Sequence, residues 1–268
     1  MATSLNTYMS SLASSYYISH NSTEATKIDT SVNSILKNLN TELGYRIKRQ
    51  FVFGSYDRDT ILPRRYDSHS DVDIMIVFNH TDYERTPETY RTWLKNFADK
   101  YYAEKYGSKV VKSFPTVTVE LQSIKFDLVP AKEEVTYWSS KIYIPDGGSS
   151  WQITNPHDVK ENLSAQNKRH NFIVKPIIRL FKAWNAKNDY PFESFDLETK
   201  ITNVNYLGET IQSGFFYAAD HLSTNYLYSI SKNNAINNLK KYCGYVKMYL
   251  NNDDLITAKY WLHQILPE

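Results

Sequence analysis

Short runs in the first half of the chain show the two-residue pattern of β-strands. In the run Asp71–Phe78, Asp71 and Asp73 fall on one face, and Val72, Ile74, Ile76 and Phe78 fall on the other. Residues 45–53 precede it as another predicted strand, which ends in the apolar run Phe51–Phe53 before Gly54. We therefore predict two strands joined by a polar loop in this region.

Helical spacing dominates the start of the chain and its second half. Apolar residues recur every three or four positions over residues 24–43, and Thr86 followed by Pro87 gives the start signal of a second helix. Further helices are predicted over residues 158–169, 172–186, 194–205, 215–231, 236–250 and 255–266. The pattern predicts an α+β protein, with a lobe around a small mixed sheet over residues 1–154 and an all-helical lobe over residues 155–268. The N-terminal helices can pack across this boundary, and we expect the active site in the cleft between the lobes.

Composition and charge are those of an ordinary globular protein. The 268 residues are 41% hydrophobic and 22% charged, and the net charge of +2 is spread without a Lys/Arg block, which argues against a large nucleic-acid surface. Cys243 is the only cysteine, which excludes an intrachain disulfide and a multi-cysteine zinc site. The sequence has no signal-like start and no run of about eighteen apolar residues. We expect a cytoplasmic protein without a membrane partner.

The first candidate chemistry lies in the pair Asp71 and Asp73. Two carboxylates on one face of a strand repel each other unless a cation neutralises them. Mg²⁺ is commonly held by one or two carboxylates together with the phosphates of a substrate. The pair therefore predicts a metal site that also binds phosphate.

Gly54 and Ser55 stand at the end of the preceding strand. A glycine there lets the backbone approach a ligand closely, and a helix starting after it would aim backbone N–H groups at an anion. The hydroxyl of Ser55 adds another donor for the same phosphate. A plain Gly-Ser turn is the alternative, as a solvated edge strand is for the Asp pair.

A third acid makes the functional interpretation stronger. Residues 116–121 (TVTVEL) and 124–129 (IKFDLV) read as two hairpin-like strands, and Asp127 lies on the face opposite its apolar neighbours. A carboxylate in such a setting needs a partner. If this hairpin lies beside the Asp71 strand, the three carboxylates can hold two divalent ions about 3.5–4 Å apart for phosphoryl or nucleotidyl transfer.

This combination resembles the polymerase-β-type nucleotidyltransferase superfamily: Gly54-Ser55, then Asp71-x-Asp73, then a lone acid, Asp127, on a later strand. The full segment GSYDRDTILPRRYDSHSDVDIMIVF points to a narrower group within this superfamily. It resembles the bacterial cGAS/DncV-like nucleotidyltransferases, the cyclic oligonucleotide synthases of anti-phage CBASS systems. The resemblance covers residues 51–130 and, more weakly, the segments 177–185 and 193–198.

The resemblance implies two further ligands of the donor triphosphate, Lys182 and Ser194. Lys182 lies on the same face of a predicted helix as Lys175 and Arg179, at three- and four-residue spacing. A basic face turned toward the cleft would neutralise a triphosphate. An ordinary solvated face is the alternative for Lys175 and Arg179.

The residues and the resemblance together lead us to expect a nucleotidyltransferase that uses two Mg²⁺ ions, with Mn²⁺ as a substitute. Asp71 and Asp73 would bridge both ions, and Asp127 would hold the ion on the side of the nucleophile. A ribose hydroxyl would attack the α-phosphorus of a nucleoside triphosphate and release pyrophosphate. The resemblance implies that a second transfer closes a cyclic di- or trinucleotide, which activates a separate effector.

Two other functions remain open on the sequence. The same motif serves enzymes whose acceptor is an RNA end, a protein hydroxyl or a small molecule. A catalytically inactive nucleotide-binding sensor is the third possibility, although three intact carboxylates argue against it.

Overall fold

The computed structural model describes residues 4–80, 84–122, 124–137 and 140–268, and these residues form two compact units. The helical unit contains the described residues up to Ile18, together with Asp59–His69 and Glu161–Glu268. The sheet unit contains Ser19–Arg58 and the described residues of Ser70–Lys160. Each unit is built from separated stretches of the chain. A single boundary, such as the one predicted after residue 154, therefore does not describe the division.

Helices and strands follow one another as the spacing of apolar residues predicts, with strands confined to the middle of the chain. In chain order the elements are α1 (Leu5–Ser15), α2 (Thr23–Leu43), a 3₁₀ turn (Gly44–Arg46), β1 (Ile47–Phe53), α3 (Gly54–Asp57), β2 (Asp71–Phe78), α4 (Pro87–Ala98), a π-helical turn (Asp99–Ala103), α5 (Glu104–Tyr106), β3 (Lys109–Val111), β4 (Val117–Glu120), β5 (Lys125–Val135), β6 (Ser140–Asp146), β7 (Ser150–Thr154), α6 (Pro156–Arg169), α7 (Val174–Lys187), α8 (Ser194–Thr202), α9 (Ile211–His221), α10 (Ile230–Asn251) and α11 (Leu255–Ile265). The division between the units falls within α6.

The sheet unit is organised by a mixed sheet with the strand order β1-β2-β5-β4-β3, and β6 and β7 extend it from β5. Strands β2 and β5 are parallel, and the other pairs are antiparallel. Val72 pairs with Phe126, and Ile74 pairs with Leu128. All four side chains are fully buried on one face, so the alternating residues of both strands must point to the opposite face.

Helix α4 covers the apolar face of the sheet. Thr86 caps its first turn by accepting a hydrogen bond from the backbone N–H of Thr89, and Pro87 occupies the first helical position, where no N–H is needed. The ring of Tyr90 stacks on Phe78 of β2 at a centroid distance of 4.5 Å. The start signal read from the sequence thus sets where the helix begins, and the contact of Tyr90 with Phe78 shows which face of the sheet it covers.

The helical unit is built around α7. Phe181 and Trp184 of α7 are buried in a large apolar cluster that includes Phe215 of α9 and Leu239 of α10. Burying large aromatic side chains contributes roughly 1.5–3 kcal/mol each, so this cluster accounts for much of the unit's stability. Among the described residues, no helix combines the length and the apolar character needed to span a membrane.

The bounds of two consecutive helices, α9 and α10, differ from the prediction. The helix predicted over residues 215–231 begins earlier, at Ile211, because Thr210 and Ser213 form a capping box, and it ends at His221. The following polar segment forms its own local hydrogen bonds, such as that from the backbone N–H of Leu227 to the side chain of Asn225. Ser229 then caps the next helix, α10. Side-chain caps thus set where α9 and α10 begin.

Candidate functional site

Three predicted site residues lie on neighbouring strands of the sheet unit. Asp71 and Asp73 begin β2, and Asp73 is the direct register partner of Asp127 on β5. Because Val72 and Phe126 are buried on the opposite face, all three carboxylates belong to the same face of the sheet. The structure therefore brings together the three acids predicted from the sequence.

Gly54 lies immediately against this group. It follows β1, has a φ of +75°, and a Cβ placed there would lie only 1.9 Å from Oδ2 of Asp73. Any larger residue would be strained by its backbone conformation and would collide with the carboxylate. Glycine is thus required at this position by both the backbone angle and the close approach of Asp73.

Ser55 is the second residue of α3, which is a single turn. The helix start predicted after β1 is therefore present but short, so the contribution of a helix dipole is small. The role predicted for Ser55 depends instead on its hydroxyl and on its position next to Gly54. That role stays a prediction.

Asp127 is held from the side of β4. Oδ1 of Asp127 accepts a hydrogen bond of 2.6 Å from the hydroxyl of Thr118, which is its direct partner in the antiparallel register. Burial raises the pKa of Asp127 above its ordinary value, whereas hydrogen bonds from Thr118 and Thr116 and the charge of Lys125 act to lower it without cancelling the effect of burial. Part of the side chain is open to solvent. The carboxylate is therefore oriented by neutral donors in a partly dehydrated setting.

The donor set fits a hard divalent cation in its chemistry. Carboxylate oxygens are the ligands that Mg²⁺ prefers, and Asp71, Asp73 and Asp127 are the groups that would hold it. Within the described ranges, no three His, Cys, Asp or Glu side chains are already arranged as a metal-binding group. The fit therefore rests on donor type and strand register.

The basic residues of α7 are not a solvated face. Arg179 is buried, its Nε and Nη1 atoms donate to the backbone carbonyls of Ala13 and Asp59, and burial lowers its pKa to about 10. Lys175 forms an ion pair with the side chain of Asp59 at 2.8 Å. The solvated-face alternative considered for these two residues is wrong, because both bind the segment that begins at Asp59.

Lys182 is also neutralised within the helical unit. Its ammonium lies 2.6 Å from Oε2 of Glu198, and both side chains are nearly fully buried. The hydroxyl of Thr60 donates to Oε2 of Glu198 at 2.7 Å, and it lies 3.3 Å from the amine of Lys182. Ser194, at the start of α8, is exposed and lies one helical turn before Glu198. The triphosphate contacts predicted for Lys182 and Ser194 stay predictions.

Two residues of this region escaped the sequence analysis, Thr118 and Glu198. Thr118 could have been found from the alternation TVTVEL, which places its hydroxyl on the face next to Asp127 once the hairpin is drawn. Glu198 stands four residues after Ser194, but no local pattern pairs it with Lys182. The contact between Lys182 and Glu198 depends on how α7 packs against α8.

Comparison with solved structures identifies the class of fold. The CD-NTase CdnG of Bradyrhizobium diazoefficiens, solved in complex with GTP, matches with a TM-score of 0.75 over 99% of this chain and 95% of that chain, at 12% identity. This similarity confirms the predicted α+β, polymerase-β-like nucleotidyltransferase fold.

The family follows from the sequence match. The model of the Second Messenger Oligonucleotide or Dinucleotide Synthetase domain, SMODS, matches residues 3–167, more than half of the chain. The chain therefore belongs to this family, and the resemblance to cGAS/DncV-like nucleotidyltransferases is confirmed.

Two curated relatives agree with this assignment. A cyclic AMP-AMP-AMP synthase of an Acinetobacter species is 28% identical over 188 residues, which are 66% of this chain and 52% of the relative. The CBASS oligonucleotide cyclase CdnC of Escherichia coli is 25% identical over 192 residues, 66% of this chain and 57% of the relative. The chain thus spans about half the length of the curated relatives it matches.

Proposed function

We propose that this protein is a nucleotidyltransferase that joins nucleoside triphosphates into a cyclic di- or trinucleotide, a second messenger of antiviral defence. The observation that carries the proposal is the placement of Asp71, Asp73 and Asp127 on one face of adjacent strands, with Gly54 against Asp73. Membership of a second-messenger synthetase family and the names of the relatives, which include a CBASS cyclase, support it. The product would act on a separate effector.

In the proposed reaction, a bond forms between a ribose hydroxyl oxygen of one nucleotide and the α-phosphorus of another. The bond from that phosphorus to the oxygen bridging to the β-phosphate breaks, pyrophosphate leaves, and the hydroxyl proton passes to solvent. Two Mg²⁺ ions, or Mn²⁺ in their place, would neutralise the developing charge when bound. Asp71, Asp73 and Asp127 would hold these ions.

The remaining residues would bind and orient the donor. Gly54 leaves room for the carboxylate of Asp73 and would let the backbone approach the donor phosphate closely, and the hydroxyl of Ser55 would donate to that phosphate. Lys182 and Ser194 are proposed as further triphosphate ligands by analogy with the family. For Lys182 this requires that the ammonium either bind a phosphate while it stays paired with Glu198, or leave Glu198 to bind the phosphate.

The proposal is tested by product analysis without any added acceptor. The protein is incubated with each α-³²P-labelled nucleoside triphosphate and with all four together, in Mg²⁺ or Mn²⁺, and the products are treated with phosphatase before chromatography and mass determination. We expect a phosphatase-resistant product with the mass of a cyclic di- or trinucleotide. The Asp71→Asn protein is the matched control and should give none.

Other products would identify the alternatives. Linear, phosphatase-sensitive products alone would leave a nucleotidyltransferase but contradict the cyclase. Label transferred to added RNA or to protein would show a different acceptor. Nucleotide binding without any product in either metal would favour an inactive sensor.

A further inference from the structure

Strand β4 and the residue just before it, Thr116, carry two hydroxyl groups near Asp127. Val117 and Val119 of this strand are fully buried on the apolar face, so Thr118 points to the face that carries Asp127. Thr118 is directly opposite Asp127 in the antiparallel register. Thr116, two residues earlier and buried, lies on the same face. Neither threonine is among the acids or phosphate ligands assigned above.

The contact between Thr118 and Asp127 is short and directional. The hydroxyl Oγ1 lies 2.6 Å from Oδ1 of Asp127, which is the length expected for a hydroxyl that donates to an ionised carboxylate. Thr116 is also among the groups that act to lower the pKa of the same carboxylate. An aspartate has only two side-chain torsions, so a fixed oxygen on one side largely fixes the orientation of the whole group.

Neutral donors have a different effect from a cation at this position. An arginine or lysine paired with Asp127 would orient it but would also cancel the charge that attracts a metal ion. A hydroxyl orients the carboxylate and leaves its charge in place. In metal sites, such supporting hydrogen bonds typically change metal affinity or activity by about 10–100-fold when they are removed.

We propose that Thr118, assisted by Thr116, is a positioning residue that sets the orientation of Asp127 for binding a divalent cation. This inference rests on the proposed function, because it takes Asp127 as a ligand of the ion. It assigns Thr118 a role through Asp127, and no contact of its own with nucleotide or metal.

The test compares Thr118→Val with Thr118→Ser. Valine keeps the shape and the β-branch but lacks the hydroxyl, whereas serine keeps the hydroxyl and lacks the methyl group. Mn²⁺ affinity is measured by electron paramagnetic resonance with a non-hydrolysable ATP analogue present, so that turnover is not needed. We expect Thr118→Val to weaken Mn²⁺ binding about 10–100-fold and Thr118→Ser to restore it to within about threefold of the wild type.

A matched control is available on the opposite face of the sheet. The hydroxyl of Thr92 on α4 accepts a hydrogen bond from Lys112 at 2.9 Å, so Thr92→Val removes a comparable bond in the same unit. This variant should bind Mn²⁺ as the wild type does. Melting temperatures of all variants, measured without metal, show whether the fold is kept.

Several outcomes would overturn the inference. Wild-type Mn²⁺ affinity in Thr118→Val would do so, as would equal losses in the valine and serine variants, which would point to packing. The proposed function fails separately: a wild-type protein that binds Mn²⁺ through Asp127, and loses it in Thr118→Val, but makes no cyclic product would retain the positioning role without the cyclase.

Discussion

The two ends of strand β5 carry acids whose partners differ and whose pKa values shift in opposite directions. Near its start, Asp127 is held by the hydroxyl of Thr118, and burial raises its pKa. Near its end, Glu133 contacts Lys48 at 2.9 Å and Arg49 at 2.7 Å. Burial acts to raise the pKa of Glu133 too, but hydrogen bonds from Ser140, Lys48 and Arg49 outweigh it and bring the pKa to about 2.

This difference separates an acid that is paired with cations of the protein from the acid that we propose as a metal ligand. Glu133 is compensated by cations of the protein itself, so it has little charge left to offer a ligand. Asp127 is oriented but not neutralised by its hydroxyl partners, which leaves it able to bind a cation. Lys182 follows the pattern of Glu133, because Glu198 compensates it inside the helical unit. The predictions below test these assignments.

The largest effect is expected at the three acids on the carboxylate face of the sheet. Asp71→Asn, Asp73→Asn or Asp127→Asn should reduce product formation at least about a thousandfold, since each removes a charge that would stabilise the reacting phosphates by several kcal/mol. The melting temperature should stay the same or rise, because like charges no longer repel each other. Turnover is followed by pyrophosphate release and unfolding by calorimetry. Wild-type turnover in the Asp71→Asn/Asp73→Asn protein would rule out the proposed site.

The second prediction concerns the compensated lysine. Glu198→Gln leaves the buried ammonium of Lys182 without its counter-ion, which should cost about 3–5 kcal/mol of unfolding free energy. In Lys182→Met/Glu198→Leu both charges are gone, and most of that stability should return. Urea denaturation at neutral pH measures both values. Equal loss in the single and the double variant would show that the ion pair itself matters little.

The same double variant sharpens the functional question about Lys182. If Lys182 binds the triphosphate, nucleotide affinity should fall in Lys182→Met/Glu198→Leu even though the fold is stable. Affinity is measured by calorimetric titration with a non-hydrolysable ATP analogue. Unchanged affinity would make Lys182 a purely structural residue of α7, in the same class as Arg179.

Ser55 tests a neutral donor on the substrate side of the acids. Ser55→Ala should lower kcat/KM about ten- to a hundredfold, because a hydrogen bond to a charged group contributes roughly 1.5–3 kcal/mol. Steady-state kinetics with varied nucleotide concentration measures the effect. Thr92→Val is again the control, and a Ser55→Ala protein with the kinetics of the wild type would remove Ser55 from the site.

The sequence predicted the acids better than their surroundings. Two-residue alternation was enough to place Asp71, Asp73 and Asp127 on one face, because a strand's period leaves no other choice once its apolar side is buried. It could not predict the environment of α7. The partners of Lys175 and Lys182 come from Asp59, Thr60 and Glu198, and such contacts are set by packing between distant segments.

The smallest predicted effect is the pH dependence supplied by Glu133. Its pKa is about 2 in the folded protein and about 4.5 when unperturbed, so the carboxylate stabilises the fold when ionised. This contribution is fully present above about pH 5 and is lost as the pH falls toward 2. Its size is about 1–3 kcal/mol, because Lys48 and Arg49 are themselves partly exposed and their attraction is screened.

The substitution Glu133→Gln removes the charge of this side chain and so isolates its contribution to the free energy of unfolding. The free energy of unfolding should be lower than that of the wild type by about 1–3 kcal/mol at pH 7, and the gap should narrow as the pH falls from about 5 toward 2. Urea denaturation across this range gives the difference directly, and the narrowing should be weaker in 1 M salt, which screens the exposed cations. A gap that is constant with pH would mean that Glu133 acts through packing, and the contrast with Asp127 would then reflect shape instead of charge.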